Sequence, residues 1–181
     1  MTTHEAARTD AAKRIEETMA GLCKFVSQDR QSPLELTVSL LEDTASLGRS
    51  VIYLVRRERQ REWADDYRKA VAEKLEFVAI GAAEFLRHCG VKEFEKAFVA
   101  EYERAAAKHP GMTLDCDGHT DESRFYALAE EVGEVAAALT YDNAQDTGHN
   151  ADLIAEVTQV GALALAWLVR YQGGNERSED R

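Results

Sequence analysis

The stretch YALAEEVGEVAAAL, residues 126–139, decides how the chain is read. Leu128, Val132, Val135 and Leu139 recur at three and four positions, the period of one apolar face of an α-helix. A second stretch, ADLIAEVTQVGALALAWL, residues 151–168, carries the same period in Leu153, Val157, Val160, Ala164 and Leu168. The residues between, Asp142 to Asn150, are polar and rich in turn formers, and Asn150 is placed to cap the later helix. The pair therefore reads as two helices joined by a loop.

The rest of the chain extends this pattern in both directions. Ala12, Ile15, Met19, Leu22 and Val26 give a first helix. Ser32-Pro33-Leu34-Glu35 opens the second, with Ser as cap, Pro at the first helical position and Glu35 completing a capping box. Its stripe is Leu36, Leu40, Leu47, Val51 and Leu54. A turn is expected within 58–66, and the next helix runs to Cys89, where Gly90 is a natural stop. Val91, Phe94, Phe98 and Tyr102 mark a fourth helix, closed by His109-Pro110-Gly111 and a polar loop at 109–121. Gly173-Gly174 is expected to end the last helix. The class is all-α, a bundle of about six helices.

Composition agrees. The chain has 181 residues, 45% of them hydrophobic, and only 2 prolines, so a sizeable helical core can form. The net charge of −11 argues against nucleic-acid binding, which needs clustered Lys and Arg. A small anionic ligand is compatible with that charge, because a bound cation inverts the local sign. Cys23, Cys89 and Cys116 are too widely spaced for a zinc ribbon or a disulfide framework. The start MTTHEAARTD lacks the basic-then-apolar order of a signal peptide, and the apolar run Gly161 to Val169 is too short for a bilayer. The expected setting is cytoplasmic, without a membrane.

Chemistry concentrates in the two stretches quoted first. Glu131 and Glu134 are three apart and share a helix face, and Glu130 and Glu134 are four apart. Like charges at these spacings need solvent, a basic partner or a cation. Mg²⁺ prefers oxygen ligands and keeps waters that substrate phosphates can replace. Asp152, Glu156 and Gln159 follow at spacings of four and three on one side of the last helix, so the two acidic stripes can face each other. Asp152 is equally placed to interact with the helix dipole. Asp115-Cys116-Asp117-Gly118-His119 has metal-type side chains at a spacing that fits a polar turn better than a zinc site. No GxSxG, Walker A or dinucleotide glycine pattern occurs.

The two stretches together resemble the MazG-like nucleotide pyrophosphohydrolases, an all-α superfamily that includes dimeric dUTPases and dCTP pyrophosphatases. The resemblance covers residues 112–172, and its pattern is ExxE, a loop, then ExxD. It implies four acids that bind Mg²⁺, with Mn²⁺ as the alternative, and cleavage of a nucleoside triphosphate to monophosphate and pyrophosphate. Glu131 and Glu134 match ExxE, and Glu156 matches the first acid of ExxD. Gln159 stands where the final Asp belongs, which removes one negative charge that Asp152 or Glu130 can restore. In the mechanism this implies, Glu130 or Glu134 orients the attacking water; by position alone, Arg124 and Arg170 are placed to meet phosphate, and Asn143 and Asn150 to meet base or ribose.

An internal repeat is also expected. Leu40-Leu41-Glu42-Asp43 overlays Leu128-Ala129-Glu130-Glu131 at a shift of 88, and Glu73-Lys74-Leu75-Glu76 overlays Glu156-Val157-Thr158-Gln159 at a shift of 83. This divides the chain into a degenerate three-helix scaffold at 1–90, a MazG-like three-helix unit at 91–174 holding the site, and a tail at 175–181. Ser46 replaces Glu134 in the first unit, while Glu73 and Glu76 remain. The expected protein is a Mg²⁺-dependent nucleoside triphosphate pyrophosphohydrolase, a monomer with an internal pseudo-dimer or a homodimer. The alternative is a non-catalytic helical module that binds a nucleotide or a protein.

Overall fold

The computed structural model describes residues 3–29, 31–140 and 152–176, with side chains described from Glu5 to Gln172 within those limits. Among them lie six α-helices and one 3₁₀ turn, and no strand. The helices are α1 (Thr3–Leu22), α2 (Pro33–Arg59), α3 (Asp65–His88), α4 (Phe94–Lys108), α5 (Asp121–Ala138) and α6 (Leu153–Glu176), with the 3₁₀ turn at Cys23–Phe25. The all-α reading holds.

Local chemistry sets most helix ends. Ser32 Oγ accepts the Glu35 N–H at 3.2 Å while the Glu35 carboxylate accepts the Ser32 N–H at 2.7 Å, the reciprocal capping box read from the sequence. The turn after α2 passes through Arg61 at φ 55, and Gly90 leaves α3 at φ 87, a conformation that favours glycine. Thr120 Oγ1 accepts the Ser123 N–H to open α5. The end of α6 differs from expectation. The helix continues past Gly173 and Gly174 to Glu176, since glycine lowers helix propensity without removing the N–H that continues the ladder.

α3 and α6 pack together through the middle of the bundle, flanked by α2 on α3 and α5 on α6, with α2 and α5 touching. The five-residue turn makes α2 and α3 antiparallel neighbours. α5 and α6 are also antiparallel: Asp121 at the start of α5 accepts from Trp167 Nε1 late in α6 at 3.0 Å, and Glu131 meets Glu156 near the start of α6. α4 lies across α6, and α1 rests on α4 and α6. One core runs through the assembly, with Trp167, Phe85, Phe98, Met19 and Leu128 fully buried. Leu153–Gln172 is long and apolar enough to cross a membrane by length and composition, with mean hydropathy 1.4, and in the bundle it is the central core helix.

The approach of α4 to α6 is fixed by one glycine. A Cβ at Gly161 would stand 2.2 Å from the ring of fully buried Phe98. Removing that Cβ lets the α4 backbone come close, which carries the next turn of α4, beginning at Glu101, over the middle of α6.

Candidate functional site

The apolar stripe of α5 (Leu128, Val132, Val135) faces the core, so the residues one position before each, or on the flank, stand at its edge. Glu131 and Glu134 occupy that edge, both half-buried, and Glu130 is exposed. On α6, Val157 and Val160 are buried, and Glu156 and Gln159 take the equivalent edge facing α5. The two carboxylate-bearing edges meet.

Their electrostatics show how close the meeting is. Burial pushes the Glu131 carboxyl up to about 7, and the nearby charges of Glu156, Glu130, Glu134 and Glu101 push in the same direction. Glu156 is also raised, first by burial and then by Glu134, while a hydrogen bond from Glu131 works the other way. Of the two, Glu131 is the acid on which the surroundings favour a proton, and its hydrogen bond to Glu156 favours the charge there. Like carboxylates crowd here, and Arg104 acts on Glu131 as a nearby opposite charge.

A cleft of about 280 Å³ opens beside this pair. Glu131 and Gln159 form one wall, and Ala162, Leu163 and Ala166 continue it along α6. α4 supplies the facing wall with Glu101, Arg104 and Lys108, ending at His109. Thr113 and Leu114 close the back. The segment behind them is held firmly: Tyr102 donates to Asp115 at 3.2 Å, and Arg124 donates to the carbonyls of Leu114 at 2.7 Å and Cys116 at 2.6 Å.

The residues nominated from sequence fall into separate groups. Glu131, Glu134, Glu156 and Gln159 are brought together. Gln159 donates its amide to Glu156 at 2.8 Å, so the residue in the expected Asp position acts as a neutral partner to the charged acid. Asp152 accepts the Ile154 N–H at 3.0 Å at the start of α6 and acts on Glu156 only as a nearby charge. Arg124 does not reach the cleft. It is 2% exposed, and its guanidinium is committed to the two carbonyls and to Asp121. Arg170 pairs with Asp117 and lines a different depression, beside Arg59 and Arg68. Instead of the phosphate contact expected of them, both arginines hold the 114–117 segment. Asn143 and Asn150 lie outside the described residues, as do the 141–151 connection and the tail at 177–181.

The sequence reading missed Glu101, Arg104 and Lys108. Their signal was present: spacings of three and four beside the buried Phe94, Phe98, Tyr102 stripe place them along one flank of α4. Nothing local shows that this flank faces α5 and α6, because the approach depends on Gly161.

Burial also permits an internal overlay one residue away from the one expected. Leu36, Leu40, Thr44 and Leu47 are buried on α2, and so are Arg124, Leu128, Val132 and Val135 at a shift of 88 on α5. On α3, Leu75, Val78, Ala82, Phe85 and Leu86 correspond to buried Val157, Val160, Ala164, Trp167 and Leu168 at a shift of 82, not 83. At that register Lys74, rather than Glu73, stands where Glu156 does. Asp43 takes the place of Glu131, and Lys74 acts on it as a nearby opposite charge.

Oxygen donors suited to a hard cation are present, and their crowding leaves negative charge uncompensated. Among the described residues, however, no group of three or more His, Cys, Asp or Glu side chains stands ready-made as a metal-ion site. Glu101 is held by Arg104 and Glu156 by Gln159, so closing around a cation requires side-chain rearrangement. Comparisons with protein-family models, with curated proteins and with solved structures give no match.

Proposed function

We propose that this chain is a Mg²⁺-dependent nucleoside triphosphate pyrophosphohydrolase of the MazG-like kind, acting in the cytoplasm as a two-repeat monomer. The observation that carries the reading is the gathering of Glu131, Glu134 and Glu156 on the meeting edges of α5 and α6, beside a cleft whose opposite wall bears Arg104 and Lys108. Acids on one side and bases on the other suit a ligand that brings both a divalent cation and anionic oxygens, as a metal-chelated triphosphate does.

In this reading Glu131, Glu134 and Glu156 hold the ion, and Gln159 offers a carbonyl oxygen once its amide turns from Glu156. When bound, Mg²⁺ neutralises phosphoryl oxygens and lowers the pKa of a coordinated water. Water attacks the α-phosphorus, the bond from that phosphorus to the bridging oxygen breaks, and pyrophosphate leaves. A carboxylate of the set accepts the proton of the attacking water. Glu134 suits this role better than exposed Glu130. On binding a cation, Glu131 would release its proton to solvent.

Gln159 supports a second reading, in which the cleft binds a nucleotide without cleaving it. One experiment separates the two: pyrophosphate release from a full panel of ribo- and deoxyribonucleoside triphosphates with Mg²⁺ or Mn²⁺. The hydrolase reading expects turnover with at least one nucleotide. Glu134→Ala then reduces it about 10²–10³-fold, the range for loss of one electrostatic stabiliser. Saturable nucleotide binding with no product across the panel would establish the second reading, and absence of both binding and product would remove the nucleotide function altogether.

A further inference from the structure

α2 carries two apolar stripes, and the bundle uses one of them. Leu36, Leu40, Leu47, Val51 and Leu54 turn inward to the core. Leu34, Val38, Leu41, Ala45 and Ile52 follow at steps of four, three, four and seven and lie on the outside of the same helix. Four of these are large and open to solvent: Leu34 is 72% exposed, Val38 44%, Leu41 45% and Ile52 51%. Gly48 takes the heptad place before Ile52, and the half-buried Phe125 ring of α5 covers it, so the apolar surface is continuous. Scattered exposed apolar side chains are ordinary. A row at alternating steps of three and four is the seam of a coiled coil, and it calls for a second helix.

The charges beside the seam say which helix fits. One flank carries Glu35, Glu42, Arg49 and Arg56 at every seventh position, acidic in the first half and basic in the second. The other flank includes Thr44 and Val51, both buried in the chain's own bundle. Neighbouring arginines of α2 are paired within the chain, Arg57 with Glu62 and Arg59 with Glu122. Glu42, Arg49 and Arg56 are exposed, and their side chains make no hydrogen bond or ion pair among the described residues. Glu35 uses only Oε2 in its capping box. Glu35 and Arg56 stand equally far from the point between Ala45 and Ser46, and so do Glu42 and Arg49. A second α2 laid antiparallel across that point sets every glutamate of the flank against an arginine, and the two-fold makes each pairing twice. The same crossing lays Leu41 of one copy near Ile52 of the other and brings the helices closest at Ala45, whose side chain is small. A parallel pair would turn this flank toward the buried Thr44 and Val51 side of its neighbour and gain no such ion pairs.

We infer that two copies of this chain associate through an antiparallel α2–α2 seam, with Glu35 against Arg56 and Glu42 against Arg49 on both sides of the two-fold. The inference goes beyond the chemistry proposed above and rests on nothing in the cleft. Each copy keeps its own two-repeat unit and its own cleft between α4, α5 and α6; what pairs is that unit. The first hairpin then has a task besides scaffolding, since it presents the assembly face.

The test is sedimentation equilibrium of the full chain across the micromolar range, with circular dichroism to confirm that each variant is folded. The parent is expected to show a monomer–dimer equilibrium. Glu42→Arg sets arginine against arginine, and Arg49→Glu sets glutamate against glutamate. Each is expected to weaken association about tenfold or more, because the two-fold makes the repulsion twice. The double variant should restore most of the loss. An equimolar mixture of the two single variants should restore it as well, since each copy then meets the opposite charges on the other. Leu41→Glu should leave the chain folded and monomeric. A parent that stays monomeric throughout the range overturns the inference. So do single variants that associate as the parent does, which would place the contact on another face, and a mixture that stays monomeric while the parent dimerises, which would exclude the antiparallel crossing.

Discussion

The α2/α3 hairpin and the α5/α6 hairpin bury their side chains in matching register, yet they treat their acids in opposite ways. In the first, burial raises the Asp43 carboxyl, but the Lys74 ammonium offsets it, and Lys74 also contacts Glu73 at 3.0 Å. In the second, Glu131 occupies the place of Asp43, and its neighbour at the place of Lys74 is Glu156. One hairpin carries its own counter-charge, and the other lacks one. The covering helix differs as well. α4 crosses α6 closely, while α1, its counterpart in chain order, rests on α4 and α6 and makes little contact with α3. In the second hairpin the acid cluster faces a basic wall on α4 across a cleft. On the proposed function, the first half would serve as scaffold with its charges neutralised internally, and the second would leave its acids open for a cation.

The sharpest way to break this contrast is at the close approach of α4. Gly161→Ala drives a methyl group into the fully buried Phe98 ring, and overpacking of this kind costs about 1–3 kcal/mol. Gly48→Ala, in the first hairpin, meets the half-buried Phe125 ring at 2.7 Å, where the ring has room to yield. Chemical denaturation is expected to show the larger loss for Gly161→Ala. That variant should also weaken uptake of a metal–nucleotide complex, because the basic wall of α4 retreats. Equal destabilisation by both variants, with uptake of that complex intact, would show that the α4 approach does not build the cleft.

A reciprocal charge change tests the counter-charge itself. Lys74→Glu turns the first hairpin into an uncompensated acid cluster and is expected to destabilise by roughly 1–2 kcal/mol, between the values for exposed and buried pairs. Glu156→Lys does the reverse. It should raise the melting temperature in EDTA at pH 8 and abolish the stabilisation that Mg²⁺ gives the parent. If Lys74→Glu is neutral, the offset at Asp43 has no energetic weight.

How far the sequence foretold this contrast depends on the range of each interaction. The helices, the Ser32 capping box and the Gly90 stop were readable because their causes lie within a few residues. Glu131, Glu134, Glu156 and Gln159 were readable as a set because two periodic stretches joined by one short loop must bring matching edges together. The α4 wall was not, since its placement depends on Gly161 meeting Phe98 sixty-odd positions away. Arg124 misled for a related reason. A basic residue near the end of an acidic helix looks free for phosphate until the 113–117 turn is seen to place two carbonyls against it. Lys74 was passed over because sequence identity favoured aligning acids with acids, while the burial pattern also admits the neighbouring register.

The smallest effect is the one that separates the two hairpins most cleanly, because it is read from pH alone. Glu131 has a folded value of about 7 against an ordinary 4.5, so the folded state holds its proton more tightly than the unfolded chain. Stability from this group is full below about pH 4.5 and is lost as pH rises through 7. Glu131→Gln cannot lose a proton and escapes that decline. The melting temperature of the variant should lie near the parent's at pH 5 and exceed it above pH 8 by about 2–4 °C, the shift that roughly 1 kcal/mol gives a chain of this size. Mg²⁺ should narrow the gap by stabilising the parent's carboxylate. Asp43→Asn, by contrast, removes the partner of Lys74 and is expected to bring no gain at high pH. A gain at Asp43 equal to that at Glu131 would mean that both hairpins leave their acids uncompensated, and the distinction between scaffold and site would then have to rest on the α4 wall alone.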